Sequence, residues 1–177
     1  MDADLRVNAL YLSSRLRSRL ADAARCPVTT IIAPTGYGKT TAAQYLQRRI
    51  AAEAPDAYLF RQFLSGGGRQ EFWAGLCRAL HLSLIHISEP TRLGYPDSPH
   101  TRQQLLELVQ DALAGKPPVW FILDDVHLLS GGEAAELVSF LAERLPPQAH
   151  LILLSRNQIF SEAQKLRLRK DLVSRKK

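Results

Sequence analysis

The chain has 177 residues, 46% apolar and 23% charged, which is the size of one domain with enough apolar side chains for a core and excludes a disordered or collagen-like chain. The formal net charge of +6 raises nucleic acid or an anionic membrane as a partner, but seven of the 23 basic residues and one of the 17 acidic ones fall in Lys165–Lys177, which leaves 16 of each sign in Met1–Gln164 and no basic surface on the body. Cys26 and Cys77 match no C-x-x-C spacing, the N-terminal MDADLR has no apolar signal region, and no apolar run approaches the roughly 18 residues of a membrane span, so the expectation is a soluble cytoplasmic protein with both thiols buried and reduced.

Short apolar runs alternate with longer helical patterns, the signature of βαβ units and a parallel sheet. The first predicted strand is Val28–Ala33. It runs into Ala33-Pro-Thr-Gly-Tyr-Gly-Lys-Thr-Thr41, and a helix follows over Thr40–Glu53. That helix stops at Ala54 because the residue before Pro55 is driven out of the α region. Strand, glycine-rich loop and helix in this order are the setting of a phosphate-binding loop. Backbone N–H groups of Gly36 to Thr40 would converge on an anion, the helix N-terminus adds partial positive charge, and Gly36 and Gly38 let the backbone approach phosphate oxygens. Lys39 would reach the β- and γ-phosphates, and the Thr40 hydroxyl would ligate Mg2+. The nucleotide-contact set is therefore Ala33, Gly36, Tyr37, Gly38, Lys39, Thr40 and Thr41, with Ala33 standing where the pattern G-x-x-x-x-G-K-[ST] has its first glycine.

Tyr58–Leu64 is the second predicted strand. Gly66–Gly68 also lies between a strand and a helix, but it lacks the Lys and the hydroxyl and reads as a flexible connection. Ser98 and Pro99 open a helix in which Leu105, Leu106, Leu108, Val109, Ala112 and Leu113 form one stripe, with Gly115 as the stop. The third strand, Val119–Leu123, delivers Asp124 and Asp125 to its carboxyl end, where open α/β sheets hold ligands. Asp124 reads as the Mg2+ acid, acting through a water. Asp125 reads as the group that orients or deprotonates the attacking water, and with Lys39 it makes up the catalytic pair. Glu133–Leu145 is a third helix, closed by Pro146 and Pro147. The last strand, Leu151–Ser155, ends at Arg156, whose planar guanidinium suits a γ-phosphate and would tell ATP from ADP. All four strands are continuously apolar, as interior strands covered on both faces are. The fold expected is an α/β, three-layer P-loop NTPase with a mostly parallel sheet, its domain in residues 1–164 and a basic tail in 165–177.

The stretches APTGYGKTT, EFWAGLCRAL, VWFILDDVHLL and ELVSFLAERLPPQAHLILLSRN together resemble the N-terminal nucleotide-binding domain of STAND-class P-loop ATPases. The resemblance is to the MalT-like, LuxR-type large ATP-dependent bacterial transcriptional regulators, and it covers most of Leu16–Arg156. It implies a signalling ATPase in which ADP holds an inactive form and an inducer with ATP promotes self-association. It also implies a winged-helix segment, a helical sensor and a DNA-binding helix-turn-helix, none of which lies in these residues. A fifth strand beyond Arg156, beside the phosphate-loop strand, is implied as well. The sequence stops at Asp171–Lys177, where that strand should begin, so the expectation is a poorly soluble fragment without its last edge strand and with an exposed edge on Val28–Ala33. Leu82–Arg92 interrupts the likeness. Its eleven residues are what a sequencing-library tagmentation adapter encodes in one frame, so it reads as an adapter-derived insertion, and His86, Glu89 and Arg92 are assigned no function.

Other chemistries find little support. His81, His86, His100, His127 and His150 show no metal-ligand spacing, and no G-x-S-x-G nucleophile occurs. The resulting reading is an ATP-binding, slowly ATP-hydrolysing signal switch using ATP/ADP and Mg2+. Two alternatives stay open: a nucleotide-holding switch without significant hydrolysis, and a small-molecule kinase using the same loop. A switch needs only that ATP and ADP favour different states, since roughly 1.4 kcal/mol of differential binding already shifts an equilibrium tenfold.

Overall fold

The computed structural model describes residues 12–66, 113–129 and 146–161, and between them residues 71, 72, 74, 75, 103, 107, 110, 111, 136 and 138–141. Cys77, the segment 82–92 and the tail 165–177 lie outside the described residues.

Helix α1 spans Ser14–Ala23, and the Ser13 hydroxyl accepts the Leu16 N–H at 3.2 Å, satisfying one of the donors that a helix start leaves open. Strand β1 (Val28–Ile32) is followed by α2 (Lys39–Glu53) and β2 (Tyr58–Phe63). Strand β3 covers Val119–Asp124, a short 3-10 turn covers Val126–Leu128, and β4 covers Ala149–Ser155. Each strand falls within two residues of its predicted bounds. Helix α2 ends where expected: Ala54 leaves the α region at φ −138° ahead of Pro55. Gly115 takes the left-handed conformation, φ 67°, that stops the preceding helix.

The four strands form one parallel sheet in the order β1-β4-β3-β2. Side chains alternate between its faces. Val119, Phe121 and Leu123 of β3 join Ala149, Leu151 and Leu153 of β4 in one core, with Leu113, Val138 and Leu141. Trp120, Ile122, Ile152 and Leu154 face the other way, onto Leu20 of α1 and Ala42, Ala43, Leu46 and Ile50 of α2. A core on each face makes the sheet the middle of three layers.

The expectation of interior strands holds for β3, which is buried throughout, and for β4, where only His150 is part-exposed. It fails for the other two: among the described residues β1 and β2 are the sheet's edges. Thr30 and Ile32 of β1 and Tyr58 and Phe63 of β2 are exposed. For β1 the expected missing neighbour concerns residues beyond Arg156, of which 162–177 lie outside the described residues; for β2 the exposure is a correction, because an apolar run does not reveal how many neighbours a strand has. Cys26 is a second correction. It lies in the connection from α1 to β1 and is exposed, its thiol 3.6 Å from the Asp22 carbonyl, because that connection turns out to solvent at Arg25 and Cys26. Among the described residues, no helix is long and apolar enough to cross a membrane.

Candidate functional site

The strand order brings three carboxyl ends together. β4 lies between β1 and β3, with Ile32 opposite Ser155 and Leu123 opposite Leu153. The loop after β1, the acids after β3 and Arg156 after β4 therefore leave the sheet side by side, at the end where parallel sheets hold ligands.

The loop half is built from backbone. The Ala33 N–H donates to the Ser155 carbonyl at 3.2 Å, which fixes the loop's start against β4. Gly36 and Gly38 have φ of 85° and 77°, a region that a side chain strains and glycine enters freely. Gly38 is also the N-cap of α2, so no cap side chain bonds the first-turn N–H groups. The Ala42 N–H, at 2.8 Å from the Gly38 carbonyl, closes the first helical bond, and the N–H groups of Lys39, Thr40 and Thr41 have no carbonyl one turn behind them inside the helix. The Lys39 side chain folds back over the loop. Its Nζ donates to the Ala33 carbonyl at 2.7 Å and the Pro34 carbonyl at 2.9 Å, and the residue is buried. Thr40 is exposed, Thr41 is half-buried, and Tyr37 projects from the loop with 76% of its surface exposed.

The acidic half is built from side chains. Asp124 closes β3 on the α2 side of the sheet and is buried. Its Oδ1 accepts the Asp125 N–H at 3.0 Å, and its Oδ2 accepts Nη2 of Arg61 at 2.7 Å. Arg61 comes from the adjacent β2, where Phe63 lies opposite Asp124 in the register. Asp125 holds a left-handed backbone, φ 58° and ψ 37°, the one described non-glycine residue with positive φ. Its Oδ1 lies 3.7 Å from His127 Nδ1, which is buried and has no hydrogen-bond partner. Ser155 Oγ donates to the Asn157 carbonyl at 2.7 Å and accepts the Asn157 N–H at 3.2 Å, a tight turn that leaves Arg156 exposed.

Sequence reasoning missed Arg61. The signal was a cation inside the apolar run YLFRQFL, because a charge buried in a strand requires a partner. The rival loop near Gly66 is claimed by the chain's own carboxylate: Glu71 accepts the Ser65 N–H at 2.8 Å and its hydroxyl at 2.7 Å. Residues 67–70 lie outside the described residues.

Comparison with known proteins gives consistent results. A family model described as an AAA domain matches residues 22–156. The HTH-type transcriptional regulator MalT of Serratia proteamaculans (strain 568) is 28% identical over 171 residues, which cover 96% of this chain and 18% of that protein. The HTH-type transcriptional regulator MalT of Yersinia pestis (strain Pestoides F) is 26% identical over the same coverage. The chain thus spans less than a fifth of the length of these relatives. Among solved structures, the Aeropyrum pernix Orc1 protein in complex with DNA superposes with a TM-score of 0.58 at 16% identity, over 89% of this chain and 41% of that one. At that identity the likeness is one of fold.

Proposed function

The chain belongs to the AAA domain family, and from that premise we propose that it is the ATP- and ADP-binding switch module of a signal-responsive transcriptional regulator, with slow Mg2+-dependent hydrolysis of ATP. The observation that carries this reading is the loop of Ala33–Thr41. Its two left-handed glycines, a helix start without a cap side chain and a lysine folded over its carbonyls form a cradle of N–H donors with one cation above it. Gly36 to Thr40 would bind phosphate oxygens through the backbone, and Lys39 would exchange its two carbonyls for the β- and γ-phosphates. Ala33, Tyr37 and Thr41 complete the nucleotide contacts, and Arg156, exposed at the neighbouring strand end, would meet the γ-phosphate.

The donor set fits Mg2+, which prefers a few hard oxygens and keeps much of its water. The Thr40 hydroxyl and, through water, the Asp124 carboxylate would hold it; among the described residues no cluster of three or more His, Cys, Asp or Glu side chains competes as a metal site. When bound, the ion would offset charge on the phosphates. Asp125, half-buried beside Asp124, would orient the attacking water. The MalT relatives supply the regulatory context, and self-association in the longer protein is part of this proposal.

Lys39→Ala is expected to weaken ATP and ADP binding by about 100-fold or more, the equivalent of roughly 2.8 kcal/mol, in a fluorescent-nucleotide titration. Unaltered affinity would remove the loop from the site. Asp125→Asn is expected to keep binding and lose phosphate release, measured with Mg2+ and ATP and no acceptor. Turnover that needs an added acceptor would make the chain a kinase instead.

A further inference from the structure

Asp124 would meet the metal, yet both its oxygens already have partners, and one of them is a cation. Resting on the nucleotide reading above, we propose that Arg61 is the resident counter-ion of Asp124: it neutralises that buried carboxylate while no divalent cation is bound, so that ADP can enter without Mg2+.

Four observations carry this. First, the pair is built into the sheet. Arg61 lies opposite Ile122 and Phe63 opposite Asp124, so the guanidinium reaches one diagonal step along neighbouring strands, and its side chain is 13% exposed against 5% for Asp124. Second, the fold does not require it. Leu59, on the same face of β2, packs against the core with α2, and apolar residues at both positions 61 and 124 would continue that surface without the cost of burying two charges. Third, the grip is single. Nη2 alone holds Asp124, Nη1 is at 3.5 Å from Gln47 Oε1 on α2, and Nε is buried with no partner. A forked pair would be harder to open. Fourth, the guanidinium has a second contact besides Asp124: its carbon already lies over the Phe63 ring, 4.6 Å from the centroid, and Phe63 is 58% exposed. A cation leaving Asp124 can stay on that aromatic face.

The electrostatics follow. A bare carboxylate at the end of β3 would repel an incoming phosphate, and Arg61 cancels that charge before any metal arrives. With a divalent cation and its water at the carboxylate, the guanidinium would give up its bond to Asp124 and keep its place over Phe63.

The test is ADP binding to the full chain by calorimetry, in excess EDTA and in excess Mg2+, for wild type, Arg61→Gln and Arg61→Lys. Wild type and Arg61→Lys, which keep a cation, are expected to change affinity by less than about threefold between the two buffers, and Arg61→Gln to lose about tenfold or more in EDTA and recover it in Mg2+. Mg2+ alone should raise the thermal midpoint of Arg61→Gln and leave that of wild type unmoved. An equal EDTA effect in wild type and Arg61→Gln overturns the role of Arg61 and leaves the nucleotide reading standing; no ADP binding by wild type in either buffer overturns both. If Arg61→Gln fails to fold, wild type decides alone, since a loss of about tenfold on removing Mg2+ would mean that Arg61 does not stand in for the ion.

Discussion

At the amino ends of β3 and β4, the rings of Trp120 and His150 stack with centroids 4.6 Å apart, and each donates to a carbonyl of the α1–β1 connection: Trp120 Nε1 to Ala24 and His150 Nδ1 to Cys26, both at 3.0 Å. Thr29 Oγ1 does the same to Ala23 at 2.7 Å. Toward the carboxyl end of the sheet, Arg61 Nε and His127 Nδ1 are buried without hydrogen-bond partners, Asp125 keeps a left-handed backbone, and Tyr37 and Arg156 are exposed. One end spends its polar groups on closing the sheet against its own backbone. The other leaves hydrogen-bonding capacity and backbone strain unspent, as binding sites do, since a fully satisfied surface has nothing to exchange for a ligand. The difference teaches that the two ends can be perturbed separately, with nucleotide binding answering to changes at the carboxyl end and not to changes at the amino end.

The largest expected effect tests whether the carboxyl end is held by its ion pair. Asp124→Ala leaves the Arg61 guanidinium buried beside an empty position, which should cost about 3–5 kcal/mol in a denaturant titration. Changing Arg61→Met in the same chain should recover most of that loss, because the unpaired charge is then gone. A cost below about 1 kcal/mol would mean that Arg61 simply turns to water, and the contrast between the ends would lose its acidic half.

A smaller effect is expected at the amino end. Trp120→Phe keeps most of the ring but leaves the buried Ala24 carbonyl without its donor, a loss of about 1–3 kcal/mol. Nucleotide affinity should not change. If affinity fell along with stability, the two ends would be coupled through β3, and the separation argued above would be wrong.

Much of this arrangement was legible in the sequence, for physical reasons that differ by element. β3 and β4 were visible because strands covered on both faces cannot alternate with polar residues, and VWFIL and LILLS do not. The loop was visible because backbone donors, glycine freedom and a lysine must come at fixed spacing to meet one phosphate chain. The edge position of β2 among the described strands was hidden, since apolarity reports burial of faces and not the number of neighbours. The Arg61–Asp124 pair was hidden for a related reason. Its residues are 63 apart in the chain and meet only because β2 is hydrogen-bonded to β3 in one register. The left-handed Asp125 was also beyond reach, because aspartate tolerates that conformation without needing it.

The smallest effect expected distinguishes the ends by pH. Burial, partly offset by the hydrogen bond to the Cys26 carbonyl, lowers the pKa of His150 below its ordinary 6.5. The folded protein therefore holds this imidazole neutral over a range where the unfolded chain would protonate it. The stabilisation is whole above pH 6.5 and is lost as the pH falls from there through the lowered value, because the unfolded state binds the extra proton. His150→Phe keeps a ring against Trp120 and removes the proton-binding group. Denaturant midpoints of wild type should fall on acidification below pH 6.5, and those of His150→Phe should fall less over the same range. Parallel pH profiles for the two proteins would show that the amino end is not closed by a neutral histidine, and that its lock depends on Trp120 and Thr29 alone.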